Sequence, residues 1–515
     1  MTGSKKSVLR QFPVSFWTAN VMEIFERMAW YGFFALSSIY ITGSVLDGGL
    51  GFSSEDRGLL QGVVSFFVYL LPFLTGALAD RYGYKKTLLI AYCILAPAYY
   101  LLGQMKTMPT FFAAFMMVGV GAAIFKPVVA GTIGRTTTKE NGMIGFGIFY
   151  MMVNMGGLLG PFIAAMIRNT GWNYVFIASS IWISLNIPIV LFLYKEPSAE
   201  AQKGAVNARS FKQVMQDMMD VLGNARFFVL IFTLLTILVM GSKWLAPQQV
   251  FLYSGVWIGA NLLLDFILRM AGIKGEWSLR IGNARFLLFL LLLSSFWVAF
   301  NQIFITLPEY IRDFCNTKPF FASIVAWMRG VGCPEGFMSW FISAFAEKDG
   351  SIKPEQFINI NAFGIIVFQV MISMIMNRLK TLVTIIIGIL LTAVSFVLFL
   401  WGANPIFVII GILVFSFGEM MASPTAKQYT AHNVAPQDRV GLYMGYYFWC
   451  NALGNLFGGL LSGNLYGWLA RDLQRPDLMW LTFAGLSVFC AVCLIFYHLT
   501  IGKKIEQEKA AAAAG

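Results

Sequence analysis

The sequence predicts an all-α polytopic membrane protein, two six-helix halves with an inserted two-helix hairpin, fourteen transmembrane helices in all. Hydrophobic residues make up 58% of its 515 positions and the mean hydropathy is +0.70, against an apolar share of roughly 45–50% in soluble domains. Apolar runs of roughly 20 residues, each long enough to cross a bilayer as a helix, recur from about residue 14 to about residue 500. The runs lack the alternation of barrel strands, which leaves helices as the spanning element. MTGSKKSVLRQFP is short, basic and followed directly by the first long helix, so no cleavable signal is expected.

Spans fall near 14–44, 54–80, 86–104, 109–134, 142–167 and 173–194, so residues 1–195 form an N-terminal six-helix bundle. A polar stretch follows at about 196–224, with Phe211, Met215, Met218 and Leu222 at helical spacing, expected as a short helix on the membrane surface. Runs at about 226–246 and 248–271, separated only by KWLAPQQ, make a hairpin; linker and hairpin together occupy 196–284. Spans near 285–308, 357–377, 381–402, 405–430, 440–468 and 478–501 build the C-terminal bundle, 285–502, before a cytoplasmic tail, 503–515. A six-helix half repeated across a linker puts a substrate near the midplane between halves.

The net charge of +12 does not point to nucleic acid, because Lys and Arg sit in short connections rather than one basic domain. Their distribution fits the positive-inside bias. Lys5, Lys6 and Arg10 place the N-terminus in the cytoplasm, and Arg81, Lys85, Lys195, Arg209, Arg378, Lys380 and Lys503 follow on that side. Asp47, Glu55 and Asp56 lie opposite. Four of six cysteines fall inside spans; Cys315 and Cys333 fall in the long external loop after the span near 285–308, where a disulfide and two free thiols are both open.

VMEIFERMAWYG places Glu23, Glu26 and Arg27 inside an apolar run. Each ionisable group at a bilayer centre costs about 2.5–3.5 kcal/mol, so these groups must face inward. At about 100° per residue, Glu23, Glu26, Arg27, Trp30 and Tyr31 share an arc of about 140°. Arg27 can neutralise one carboxylate, leaving the other sensitive to water and neighbours. Lys126 in VGVGAAIFKPVV and Glu419 in FSFGEMMASP are further intramembrane charges, one in each half. A cation on one side of a cavity and an anion on the other suit a zwitterion held end to end. The competing structural readings are a packing ion pair at Arg27 and a direct salt bridge from Lys126.

GALADRYGYKK, residues 76–86, resembles the loop signature of the major facilitator superfamily, which implies that Asp80 and Arg81 latch the halves in one state. EIFERMAWYG, FVYLLP, IFKPVV, FYMMVNMGGLLGP, FWVAFNQ, PEQFININ, GEMMASP and MGYYFWCNALGN together resemble the proton-dependent oligopeptide transporter family, bacterial type, along nearly the whole chain. The resemblance implies proton-coupled symport of di- and tripeptides by alternating access in the cell inner membrane. The termini are then cytoplasmic, the chain a monomer, and the coupling ion the proton, with no other cofactor and no metal. Glu23, Glu26 and Arg27 would couple protonation to binding. Arg27 and Lys126 would receive the peptide carboxylate, while Tyr31, Tyr69, Asn154 and Asn361 hydrogen-bond its backbone. Glu419 would take the amino end, and Trp297, Trp449 and Ser423 would line side-chain pockets. One position departs from the pattern: Asn301 stands where the family usually carries a seventh-helix glutamate, beside the would-be pocket. Asn301 cannot titrate, so coupling would rest on Glu23 and Glu26. The same departure leaves open a non-peptide cargo such as nitrate or a drug. Neither a metal-ligand cluster, a G-x-S-x-G elbow nor a phosphate-binding glycine loop is present in the sequence, so an enzyme is not expected.

Overall fold

The computed structural model describes residues 11–137, 142–196, 211–245, 247–272, 278–376, 379–435, 440–505 and 507. Among them the named elements are all helices. Two compact units are distinguished, residues 1–208 with 293–515, and residues 209–292.

The first unit opens with α1 (Val14–Thr42), which starts after the extended Pro13 and ends at the extended Gly43. α2 (Ser54–Leu70) is capped by the Ser53 side chain, which accepts from the Asp56 N–H, and Glu55 and Asp56 sit in its positively charged first turn. Leu71 ends it because Pro72 has no N–H to continue the ladder. α3 (Pro72–Tyr82) resumes at once and stops at Gly83, whose φ of 94° suits glycine. α4 (Tyr84–Gln104), α5 (Met108–Thr136), α6 (Gly142–Ile167) and α7 (Trp172–Pro188) complete the N-terminal half.

The second unit contains α8 (Phe211–Val221), α9 (Ala225–Trp244) and α10 (Pro247–Met270), and α11 (Ala284–Phe300) begins in it. In α8 and just after it Met218, Val221 and Leu222 are buried, so the helical spacing of that segment serves packing. The α9–α10 hairpin is pinned by Trp257 Nε1 donating to Leu230 O at 3.1 Å and Arg226 Nη2 donating to Asn261 O at 2.8 Å. Asp265 accepts from Arg269 Nε at 2.8 Å and from the Leu279 N–H at 2.7 Å, which satisfies a carboxylate on an otherwise apolar helix.

Back in the first unit, α11 breaks at Asn301 and Thr306 into α12 (Gln302–Ile305) and α13 (Leu307–Phe314). The loop expected at about 309–356 is itself largely helical: α14 (Lys318–Gly330) and α15 (Glu335–Phe345) are too short to cross a bilayer, which is why hydropathy alone does not mark them as spans. α16 (Pro354–Met376), α17 (Thr381–Leu398), α18 (Pro405–Tyr429), α19 (Val440–Leu465) and α20 (Pro476–Tyr497) follow. Cys315 and Cys333 are free thiols. They flank α14, whose thirteen residues extend about 20 Å, against a Cα separation below about 7 Å in a disulfide.

Among the described residues ten helices are long and apolar enough to cross a membrane. α1, α9, α16 and α19, at 29, 20, 23 and 26 residues, also have the length. The N-terminal half is cored by edge-to-face aromatics, with Phe33 against Phe115 at 5.1 Å and Tyr40 against Phe176 at 4.9 Å between centroids. In the C-terminal half the fully buried Trp480 sits among Phe396, Phe399, Phe483 and Tyr310.

Two glycine contacts set the geometry of the site. On α6 a Cβ at Gly156 would lie 2.4 Å from Arg27 Cβ, and one at Gly160 would lie 2.6 Å from Met28 O, so α1 and α6 touch backbone to backbone beside the charged stretch. Between halves, a Cβ at Gly58 of α2 would lie 2.2 Å from Gly459 O of α19, and one at Gly459 2.4 Å from Gly58 O. Small residues permit such approach in membranes, where hydrophobicity does not press helices together.

Candidate substrate and proton site

Arg27 is the hub of the buried charges. Its Nε lies 3.1 Å from Glu23 Oε1, its Nη2 pairs with Glu26, and its guanidinium carbon is 5.8 Å from the Tyr31 ring centre. Glu23, Glu26 and Arg27 are 5%, 0% and 5% exposed, so one cation is shared by two carboxylates out of water. Lys126 on α5 completes the cluster differently: its Nζ lies 4.2 Å from the Tyr69 ring centre and 6.0 Å from that of Trp30. Among the described residues no carboxylate lies within 4 Å of that ammonium, so the direct salt bridge is not formed and aromatic faces hold the charge.

Across the halves, Glu419 Oε2 accepts from Asn361 Nδ2 at 3.0 Å, and the same amide reaches Ser416 Oγ at 3.0 Å. A cavity of about 80 Å³ is lined from both halves, by Tyr31, Asn154 and Pro161 on one side and Phe304, Asn361 and Glu419 on the other, among others; Glu23, Glu26, Arg27, Tyr69 and Lys126 do not line it. Four residues expected at the site therefore meet on one cavity, with Arg27 reaching it through Tyr31.

Other expected residues lie elsewhere. Asn301 is 9% exposed and its Nδ2 donates to Trp297 O at 2.8 Å, one turn back, so it closes the helix break instead of lining the cavity. Trp297 is buried against α19, where a Cβ at Gly454 would lie 2.2 Å from Trp297 Cβ. Trp449 packs on Phe73 with centroids 5.9 Å apart. Ser423 sits one turn beyond Glu419 on α18 and is not among the cavity's lining residues. Asp80 and Arg81 fall on α3, but their side chains lie outside the described residues, as does Arg378.

The side remote from the N-terminus, hereafter the distal side, is closed by charges that sequence reasoning missed. Arg57 of α2 and Glu309 of α13 are fully buried, with Nε 2.7 Å from Oε2. Arg57 also donates to Ile305 O at 2.9 Å, Ser462 Oγ at 2.9 Å and Gln61 Oε1 at 3.1 Å, while Ser54 and Arg471 donate to Glu309 Oε1. A second closure joins Arg168, just beyond α6, to Glu355 of α16 at 2.5 Å and to Glu347. A signal for the first existed in SEDRGLLQ, where Arg57 and Gln61 share one face of an apolar helix. Nothing local marks their partners, which lie 252 and 187 residues away for the two Arg–Glu pairs counted to Glu309 and Glu355.

The comparisons agree with this architecture. The sequence profile of the Major Facilitator Superfamily matches residues 21–348 and 356–514. "Peptide transporter YePEPT" of Yersinia enterocolitica subsp. palearctica serotype O:3 (strain YE-P4) is 23% identical over 513 residues, covering 93% of this chain and 92% of its own. "Dipeptide and tripeptide permease B" of Yersinia enterocolitica serotype O:8 / biotype 1B (strain NCTC 13174 / 8081) is 23% identical over 489 residues, 90% of this chain and 88% of its own. Among solved structures, a POT family transporter in complex with 5-aminolevulinic acid superposes with a TM-score of 0.67 at 18% identity, covering 97% of this chain and 100% of that one, which shows the shared fold. A match over nearly the whole length, on a multi-pass helical protein with a cavity lined from both halves, establishes that this chain belongs to the Major Facilitator Superfamily.

Proposed function

We propose that the protein is a secondary active transporter that carries di- and tripeptides together with protons by alternating access. The carrying observation is buried charge of opposite sign in the two halves: Arg27 and Lys126 in the N-terminal half, with Arg27 beside the cavity-lining Tyr31, and Glu419, held by Asn361, lining the cavity from the C-terminal half. A peptide's carboxylate suits the first pair and its ammonium the second, with Tyr31 and Asn154 within reach of its backbone. Curated relatives named as peptide transporters and permeases support the cargo class.

Arg27 faces two carboxylates, so protonating Glu23 or Glu26 releases part of its charge toward an incoming carboxylate. That links proton uptake to binding at one residue. The distal side corresponds to the outside of the cell inner membrane, the termini to the cytoplasm, and the closed Arg57–Glu309 pair to a state that has shut the outer gate. The transporter acts as a monomer, with the proton as its only cofactor-like partner.

A second reading keeps the fold and changes the cargo or loosens the coupling. Asn301 favours it, because it removes a titratable group from the seventh crossing.

Uptake of a labelled dipeptide into proteoliposomes, with and without an inward proton gradient, tests both. Gradient-driven accumulation competed by tripeptides but not by free amino acids supports the first reading; accumulation competed by nitrate or a drug instead supports the second.

A further inference from the structure

We propose that α14 and α15, the insert on the distal side, lie within the distal leaflet of the bilayer, at the boundary of headgroups and acyl chains, with lipid as their partner. At thirteen and eleven residues they extend about 20 and 17 Å, too short to cross. Yet their outward faces are aromatic and aliphatic: Trp327, Val331, Phe337 and Trp340 are 66%, 57%, 49% and 43% exposed. Helices of this kind, apolar on one face and carrying tryptophan, settle in the interfacial plane.

The depth at which α15 is held decides for lipid over water. Trp340 and Phe345 pack on Phe162 of α6 with centroids 6.3 and 6.0 Å apart. Phe162 lies five residues before Ile167, the end of a 23-residue apolar span, so it is about 7.5 Å inside the helix end. A span of that length exceeds a hydrocarbon core of about 30 Å by only a few ångströms, which puts the Phe162 contact below the headgroups. Polar bonds hold the insert at that depth: Asn169 Nδ2 donates to Ser343 O at 3.0 Å, and Lys353 Nζ donates to Ala165 O at 2.9 Å and Ser343 O at 2.7 Å.

Charges respect the same boundary. Lys318 begins α14, Arg329 stands in its last turn and Glu335 begins α15, so ionic groups sit at helix ends and the aromatic residues between them. After the insert the chain enters α16, a helix of crossing length on which Phe363, Ile366 and Val367 are 60%, 45% and 49% exposed.

Nitroxide labels at positions 337 and 340, in a cysteine-free full-length chain reconstituted in phosphatidylcholine–phosphatidylglycerol vesicles, test this by collision with oxygen and with a water-soluble nickel chelate. Oxygen is expected to dominate at Phe337→Cys and Trp340→Cys and the chelate at Lys348→Cys, on the exposed loop that follows. Chelate access at 337 and 340 equal to that at 348 overturns the proposal. Exclusion of both reagents with spin–spin broadening between copies also overturns it, in favour of a dimer contact. Should those variants fail to fold, the doubly substituted Trp327→Phe/Trp340→Phe chain supplies the check: brominated lipids are expected to quench a smaller share of its tryptophan emission than of the parent's, and an unchanged share rejects the lipid partner.

Discussion

Arg57 and Glu309, 252 positions apart in the chain, meet at 2.7 Å with both side chains fully buried, one from each half of the molecule. Removing one partner of such a pair strands the other and costs about 3–5 kcal/mol, whereas replacing both by apolar residues is often neutral. Glu309→Gln and Arg57→Met are each expected to shift the carrier away from the distal-closed state, and the pair together to restore it in part. Distances between spin labels on the distal ends of α2 and α13 measure this; equal populations in single and double variants would sink the assignment.

Glu23→Gln with Glu26→Gln is expected to abolish gradient-driven uptake while leaving exchange of peptide for peptide. Proton-driven uptake surviving the double substitution contradicts the role given to this pair.

Glu419→Gln and Lys126→Ala each remove one charged anchor, and hydrogen bonds to charged groups contribute about 1.5–3 kcal/mol, or about ten- to 150-fold in affinity. The first variant is expected to lose discrimination against peptides blocked at the amino end, the second against peptides amidated at the carboxyl end. Calorimetric titration of the four combinations checks the pairing, and a loss independent of which end is blocked rejects it.

Gly156→Leu inserts a side chain where even a Cβ would sit 2.4 Å from Arg27 Cβ. Affinity for peptide is expected to fall at least tenfold, a loss of about 1.4 kcal/mol, because α1 must move and carry Arg27 with it. Unchanged affinity in a folded variant would show that α1 is not positioned by this contact.

Cys315 and Cys333 are expected to alkylate without reductant. Burial pushes the Cys315 thiol up to about 12, and only the thiolate reacts, so its labelling rate is expected to rise about tenfold per pH unit between pH 7 and 10. Mass spectrometry of timed maleimide reactions checks this; labelling only after reduction would restore the disulfide.

The fold is legible in the sequence because lipid leaves one backbone solution for long apolar runs, and charges such as Glu23 and Lys126 announce themselves by the cost of placing them there. Glu419 is legible for the same reason, whereas Asn361 is marked only by the family resemblance of PEQFININ. Arg57 is legible only in part: it shares a helix face with Gln61, but at a helix start beside Glu55 and Asp56 it looks like a loop charge, and its partner is fixed only by how two halves dock. Asn301 and Trp297 show the reverse error: a recognisable motif says where a residue falls in the chain, but not that a helix break turns its amide onto the backbone.

Among the described residues Arg27 pairs with two carboxylates, while Lys126 lies against the faces of Tyr69 and Trp30 and forms no direct ion pair. In the transport cycle proposed above, the cargo's carboxylate is the counter-ion that pairs directly with that ammonium. On that proposal, loading neutralises the charge before the halves rock past each other, and the unloaded return is expected to be the slow leg of the cycle.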